Sequence, residues 1–357
     1  MKLERVAIVT PYGLTNYGNR LQNYALDLMV RRLGLEVETV VMGDRGSFPG
    51  YAVGVRDIAH RLRLKGPQSR RHSRFRQFDQ AMAKYHVWTR GQLADLSSRY
   101  DVALIGSDQI WNPYQVKWGG LEYGSAFRTE QRVSVSASFG LDAAPDEYRE
   151  YMAEHLSGMR KISVREVAGK EIVRDLVGRE AEVLIDPTLA LSRDDWSSVA
   201  STEYLPEGRH VLVYALGKLS DVNAASVASA ASRNGAETVR LLDRSASRYY
   251  PTGPQDFIGL IMSSELVVTD SFHAVVFSLL FDKNVVLIER QGKSYSMLSR
   301  FSSLCRLLGL EMVADDEFEN AYRFVGVGVA SLTDNLDAQR LKFRKYLADL
   351  LQPRYAE

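Results

Sequence analysis

Short apolar runs alternate with stretches of helical spacing along most of this chain. Residues 6–10 read as a strand, and Leu21, Tyr24, Ala25, Leu28 and Met29 mark a helix over 19–33 that Gly34 closes. A second strand is predicted over 36–42. Strand, loop, helix and strand in that order predict a parallel, doubly wound sheet. A polar, helical insertion is expected over 45–100. The pattern resumes with strands at 102–105 and 132–138, a helix over about 146–156, and short strands at 162–165 and 183–186. Asp186-Pro187-Thr188 breaks it, and 191–204 reads as a connector.

A second series follows: strand 210–216, helix 223–233, strand 238–242, helix 255–263, strand 266–269, helix 271–281 and strand 285–288. Two α/β series of similar size predict two Rossmann-like domains facing a cleft, 1–190 and 205–334. The stretch 335–357 contains an amphipathic helix expected to pack back across the pair. A length of 357 residues exceeds what one hydrophobic core usually supports, which agrees with two domains.

Composition narrows the classes. With 45% hydrophobic and 25% charged residues the chain has an ordinary globular make-up, and a net charge of +1 gives no general pull toward nucleic acid. The only cysteine, Cys305, falls in a helical pattern and reads as a buried filler, so neither an intrachain disulfide nor a cysteine-based zinc site is expected. The six histidines are scattered without metal-ligand spacing, so no metal site is expected. The first residues pass directly into a strand, without a signal-peptide apolar region, and no apolar run is long enough to span a bilayer. These features predict a cytoplasmic protein. Arg56, Arg61, Arg63, Lys65, Arg70, Arg71, Arg74 and Arg76 make 56–78 a basic face. It suits either solvent or an anionic membrane surface, the latter placing the protein at the inner membrane face.

Several polar clusters fall where an open α/β sheet places its ligands, beyond the carboxyl ends of strands. Gly106, Ser107, Asp108, Gln109 and Asn112 crowd the loop after strand 102–105. The loop holding Asn16, Gly18 and Asn19 opens onto a helix, whose first backbone N–H groups can face an anion. Asn19 as helix cap and Gly18 as a turn residue are the plainer reading. Thr269, Asp270, Ser271 and His273 join a strand end to a helix start, where His273 can donate to an anion or act as general acid. Lys293 stands on a Gly-containing loop, suited to phosphate as a point charge. Arg165, just past a short strand, can bind carboxylate or phosphate bidentately, or pair with Glu166.

Taken in order, Asn16-Tyr-Gly-Asn-Arg-Leu-Gln-Asn-Tyr-Ala-Leu26, Gly106-Ser-Asp-Gln-Ile-Trp-Asn-Pro113, Ser136-Ala-Ser-Phe-Gly140, Ser163-Val-Arg-Glu166, Asp186-Pro-Thr-Leu189 and Thr269-Asp-Ser-Phe-His273 resemble the polysaccharide pyruvyl transferase family. The resemblance spans about 6–295, and the block 106–113 is its most specific element. It implies a GT-B-like fold of two Rossmann-type domains around a cleft. The implied reaction moves the enolpyruvyl carbons of phosphoenolpyruvate onto a sugar as a cyclic ketal and releases phosphate. No further cofactor is implied.

Arg165, His273 and Lys293 match the family's functional residues, and Lys293 follows His273 by twenty positions. Asp108 joins them as a weaker candidate, for orienting or deprotonating a sugar hydroxyl. Asn16, Gly18, Asn19, Gly106, Ser107, Gln109, Asn112, Ser138, Asp270 and Ser271 are the expected substrate-binding positions. Many relatives carry Arg two residues before the His, whereas this chain has Ser271 there. The expected acceptor is a sugar or lipid-linked oligosaccharide. A nucleotide-sugar glycosyltransferase and a non-catalytic carbohydrate-binding protein are the alternatives.

Overall fold

The computed structural model describes residues 3–13, 15–42, 66–245, 248–290, 298–327 and 331–351. In the first half, β1 (Arg5–Val9), α1 (Tyr17–Arg32), β2 (Glu36–Met42), α2 (Pro67–Asp79) and β3 (Lys84–Val87) come first. They are followed by β4 (Val102–Ile105), β5 (Arg132–Ser134), α3 (Arg149–Ser157), β6 (Ser163–Val164), α4 (Val167–Val177), β7 (Glu182–Val183) and the short α5 (Pro187–Ala190). The strands form a parallel sheet in the order β3-β2-β1-β4-β5. Bridges Val133–Lys161 and Ala137–Val164 continue it to the β6-β7 pair.

The second half runs β8 (His210–Tyr214), α6 (Asp221–Arg233), β9 (Glu237–Arg240), α7 (Pro254–Ser263), β10 (Leu266–Thr269), α8 (Phe272–Leu280), β11 (Asn284–Ile288), α9 (Leu298–Leu308), β12 (Leu310–Ala314), β13 (Ala321–Gly326) and α10 (Leu332–Leu351). Its sheet order is β12-β13-β11-β10-β8-β9, parallel except where β13 pairs with β11 and β12.

Each sheet has one point where the connections reverse direction, between β1 and β4 in the first and between β8 and β10 in the second. Such switch points leave a crevice beyond the strand ends. Side chains alternate across the pleat as a two-sided buried strand requires. Val6 and Ile8 of β1 join Leu212 and Tyr214 of β8 in one core common to both halves. Ala7 and Val9 face a second core, and Val211 and Val213 a third. The halves are therefore welded by shared apolar packing.

Two expectations need correction. The insertion expected to be helical over 45–100 carries β3 on the sheet edge, paired in register with Thr39–Met42. Residues 43–65 lie outside the described ones. The basic face is the second. Arg71 is buried and donates to the Tyr17 hydroxyl (2.5 Å) and to the carbonyls of Tyr250 and Thr252 (both 3.2 Å) and Thr15 (3.2 Å). Arg74 binds Asp256 through two nitrogens (3.0 and 2.5 Å) and Glu203 at 2.6 Å. These two arginines clasp α2 to the second half, while Arg70 and Arg76 are exposed. Arg56, Arg61, Arg63 and Lys65 lie outside the described residues.

α10 runs back to the first half: Tyr346 donates to the Ser134 carbonyl at 2.8 Å, and Arg340 to the carbonyls of Leu189 and Leu191, each at 2.9 Å. Among the described residues, no helix is long and apolar enough to cross a membrane. Arg74→Met strands the fully buried Asp256 carboxylate without its partner, so urea unfolding should show a loss of about 3–5 kcal/mol. Adding Asp256→Asn should restore part of that loss in a double-mutant cycle.

Candidate active site

The crevice between the halves is organised around Asp186, whose side chain is fully buried ahead of α5. One oxygen, Oδ1, caps that short helix, accepting from the Thr188 backbone N–H at 3.0 Å and its hydroxyl at 2.7 Å. The other, Oδ2, accepts from Arg165 Nη1 at 2.8 Å and lies 3.6 Å from His273 Nε2. Burial pushes this carboxyl up, but the nearby His273 ring, then the Arg165 guanidinium and the Thr188 N–H, hold it well below the usual carboxylate range. Asp186 thus joins a guanidinium of the first half to an imidazole of the second.

Arg165 follows β6 and is buried. Besides Asp186 it approaches Asp108 (Nη2 to Oδ1, 3.5 Å) and Glu166 (Nε to Oε1, 3.7 Å), and its Cζ stacks 4.3 Å over the Phe272 ring. Neither Nε nor Nη2 makes a hydrogen bond. Burial works against its charge, but Glu166, Asp108 and Asp186 hold its pKa above the ordinary value. Glu166 accepts from the Ser138 hydroxyl through Oε1 and leaves Oε2 unpartnered; its carboxyl is pushed up by burial.

His273 occupies the first turn of α8 and is 6% exposed, with no hydrogen-bond partner at Nε2. Its ring packs on the backbone at Gly18 so closely that a Cβ there would fall 2.1 Å from Nδ1. Glycine at 18 is thus required by close approach to the imidazole, and Gly18 lies inside α1, not in a turn. Asn16 is the N-cap, accepting from the Asn19 N–H at 3.1 Å. That frees the Asn19 amide to donate to Asp108 Oδ2 at 2.6 Å.

Gly106 has a φ of 127°, and a Cβ there would meet the Val135 carbonyl at 2.3 Å; a cis peptide joins it to Ser107. The Ser107 N–H donates to Gln22 Oε1 at 3.0 Å and its hydroxyl to the Ser136 carbonyl at 2.8 Å, lying 3.4 Å from Asp186 Oδ2.

The structure therefore brings Gly18, Asn19, Gly106, Ser107, Asp108, Ser138, Arg165 and His273 together. Gln109 and Asn112 fasten their own loop, Asn112 donating to Gln109 at 3.1 Å and accepting from the Tyr114 N–H at 3.1 Å. Asp270 holds the β8 end through the N–H groups of Leu216 (2.7 Å) and Gly217 (2.8 Å) and pairs with Arg290 at 2.7 Å. Ser271 precedes α8 and is buried, with its N–H bound to Thr269 Oγ1 at 3.0 Å. Lys293 lies outside the described residues.

Sequence reasoning left out Asp186 and Arg300 as site residues. The Asp-Pro-Thr step around Asp186 carried a signal, since an acid before Pro at a helix start is a capping pattern. Arg300 had none: it reads as one polar position of an ordinary helix. It is buried, its Nε and Nη2 find no acceptor, and burial together with Arg165 pushes its pKa down to about 10. Three helices of useful length, α1, α4 and α8, start around this cluster, and helix starts carry partial positive charge. Among the described residues no group of three or more His, Cys, Asp or Glu side chains is arranged to hold a metal ion.

The crevice between two Rossmann-type sheets holds buried guanidinium nitrogens of Arg165 and Arg300 that make no hydrogen bond in the protein. Residues 16–292 match the sequence profile of the polysaccharide pyruvyl transferase family, and the chain belongs to that family. No curated protein matches it in sequence. Two solved structures share its architecture at 8–11% identity. The UDP-N-acetylglucosamine 2-epimerase from Rickettsia bellii has a TM-score of 0.53 and 8% identity, over 98% of this chain and 96% of that one. A protein from Listeria monocytogenes assigned to the same activity has a TM-score of 0.51 and 11% identity, over 98% and 90%. At such identity these likenesses speak for the fold, which is GT-B-like.

The depressed Asp186 pKa has a definite consequence for stability. Its contribution is present above the unfolded value of about 4 and is lost as pH falls below that toward the folded value. Asp186→Asn should accordingly destabilise the protein more at pH 7 than at pH 3, where part of the contribution is already lost, measured by urea unfolding at both. An equal loss at the two pH values would contradict the charge network.

Proposed function

We propose that this protein transfers the enolpyruvyl carbons of phosphoenolpyruvate to two hydroxyls of a sugar, within a surface polysaccharide or its lipid-linked precursor. The product is a cyclic pyruvate ketal, with phosphate released. Membership of the family supports pyruvylation of a polysaccharide, and the buried Arg165–Asp186–His273 cluster supports the anionic donor. The observation that carries the reading is the set of buried donors, Arg165 Nε and Nη2 and His273 Nε2, that meet no acceptor in the protein. A buried donor without an acceptor is strongly disfavoured, so a ligand rich in anionic oxygens is its natural partner.

Arg165 holds an anionic group of the donor by charge-assisted hydrogen bonds. His273, protonated beside the Asp186 carboxylate, delivers a proton to the methylene carbon as general acid. The C2 centre then has oxocarbenium character, and a sugar hydroxyl oxygen bonds to it and gives up its proton. The C2–O bond to phosphate breaks next, with the departing charge stabilised by the cations. A second hydroxyl closes the ketal, and its proton leaves with the phosphate.

Lys293 is proposed to hold the phosphate on its loop. Asp108, fixed by Asn19, orients or deprotonates an acceptor hydroxyl, and Ser107 lines the same wall. The donor is the only small molecule this scheme uses.

Incubation with phosphoenolpyruvate and candidate glycans should release phosphate and add the pyruvyl mass to the acceptor. Arg165→Ala and His273→Ala should each lower turnover by roughly a hundredfold or more. Near wild-type turnover in either variant would sink these roles. Stabilisation by a UDP- or GDP-sugar but not by phosphoenolpyruvate would favour a glycosyltransferase instead. Gly18→Ala should depress turnover as well, because the new methyl displaces the His273 ring. Alanine favours the helix, so circular dichroism should stay unchanged.

A further inference from the structure

Arg300 is buried at 4% exposure in the crevice and is used by nothing so far described. It belongs to α9, in the second half, yet α9 docks on the first half directly behind the cluster. The Val167 N–H, at the start of α4, donates to Ser303 Oγ at 3.0 Å. Ser303 and Arg300 are three residues apart on one helix and so share a face. That face is turned toward Arg165 and Glu166, which lie two residues and one residue before Val167. The Arg300 Cζ lies 5.7 Å from the centre of the Phe272 ring, the same ring that carries Arg165.

Arg71 and the half-buried Arg74, which join the two halves, are fully engaged. Arg71 donates to a hydroxyl and three carbonyls, and Arg74 is paired with Asp256 and Glu203. Arg300 differs: Nε and Nη2 find no acceptor, and no described carboxylate lies within ion-pair distance. A guanidinium taken out of water without a counter-charge opposes folding. Its position between Phe272 and the first-half acids gives it no structural bond in return, while the fork of donors suits phosphate or carboxylate oxygens.

We propose that Arg300 is a substrate-binding residue that grips a phosphate or carboxylate group of the donor jointly with Arg165. The two guanidinium groups come from opposite halves of the chain, and the bound anion is the acceptor that the protein itself withholds. The inference rests on the phosphoenolpyruvate reading of the site and extends it to a residue on a different helix.

Titration calorimetry of full-length wild type, Arg300→Met and Arg300→Lys with phosphoenolpyruvate tests it, alongside thermal unfolding without ligand. Arg300→Met removes an unpaired buried charge at similar volume, so its ligand-free Tm should equal or exceed the wild-type value. Its Kd and KM for phosphoenolpyruvate should rise roughly tenfold to hundredfold, with Arg300→Lys falling between. Inorganic phosphate and pyruvate, titrated separately, identify the group held: the Arg300→Met change should weaken one of them selectively. Unchanged affinity of Arg300→Met for all three ligands overturns the proposal. So does a lowered ligand-free Tm in both variants with unaltered affinity, which marks a structural residue. Wild type that fails to bind phosphoenolpyruvate sinks the donor assignment itself. Wild type that binds phosphoenolpyruvate, with Arg300→Met binding it and turning it over equally well, sinks only the role of Arg300.

Discussion

Asp186 is a carboxylate with no access to water that remains ionised because a guanidinium and an imidazole from different parts of the chain reach it. Arg165 comes from the end of β6 and His273 from the start of α8, and the two sequence positions are more than a hundred residues apart. Remove the acid and the buried Arg165 guanidinium faces the His273 imidazole without the carboxylate between them. Remove either partner and burial begins to win, as it already does at neighbouring Glu166. The relative placement of the halves at the site is therefore an electrostatic matter as much as a packing one. Asp186 also caps a helix, so one oxygen fixes backbone while the other fixes charge.

The apolar core explains why this network can be so exacting. Strand residues of both sheets and helices α1, α7 and α8 contribute to a single cluster, so the walls of the crevice rest on close-packed matter with little freedom to drift. Gln22 adds a local restraint of the same kind: its amide bridges Thr10, at the end of β1, and the Ser107 N–H, at the end of β4. The two strand ends that flank the first switch point are thus held at a fixed separation by one side chain.

The interior of the fold was legible in the sequence and its margins were not. Runs such as 102–105 and 266–269 are buried on both faces, so their hydrophobicity declares them, and the strands fall at those positions. β3, with the sequence Lys-Tyr-His-Val, and the antiparallel pair β12 and β13 lie toward sheet edges. There half of each strand meets solvent, and polar residues blur the alternation. The site divides along the same line. Arg165, His273 and Asp108 stood at strand ends, a location that points to ligands in this class of sheet. Arg300 is brought in by the docking of one helix on another, which no local pattern encodes. Gln109 and Asn112 shared the promising loop but spend their hydrogen bonds shaping it.

The convergence of α1, α4 and α8 gives the crevice a positive contribution that comes from the backbone and does not depend on which side chains the helices carry. Peptide dipoles are the same whatever residues the helices carry. In the proposed function the backbone therefore contributes to holding the anionic donor, and the cationic side chains add selectivity and geometry. A position such as Ser271 can therefore be uncharged in this chain without removing that backbone contribution.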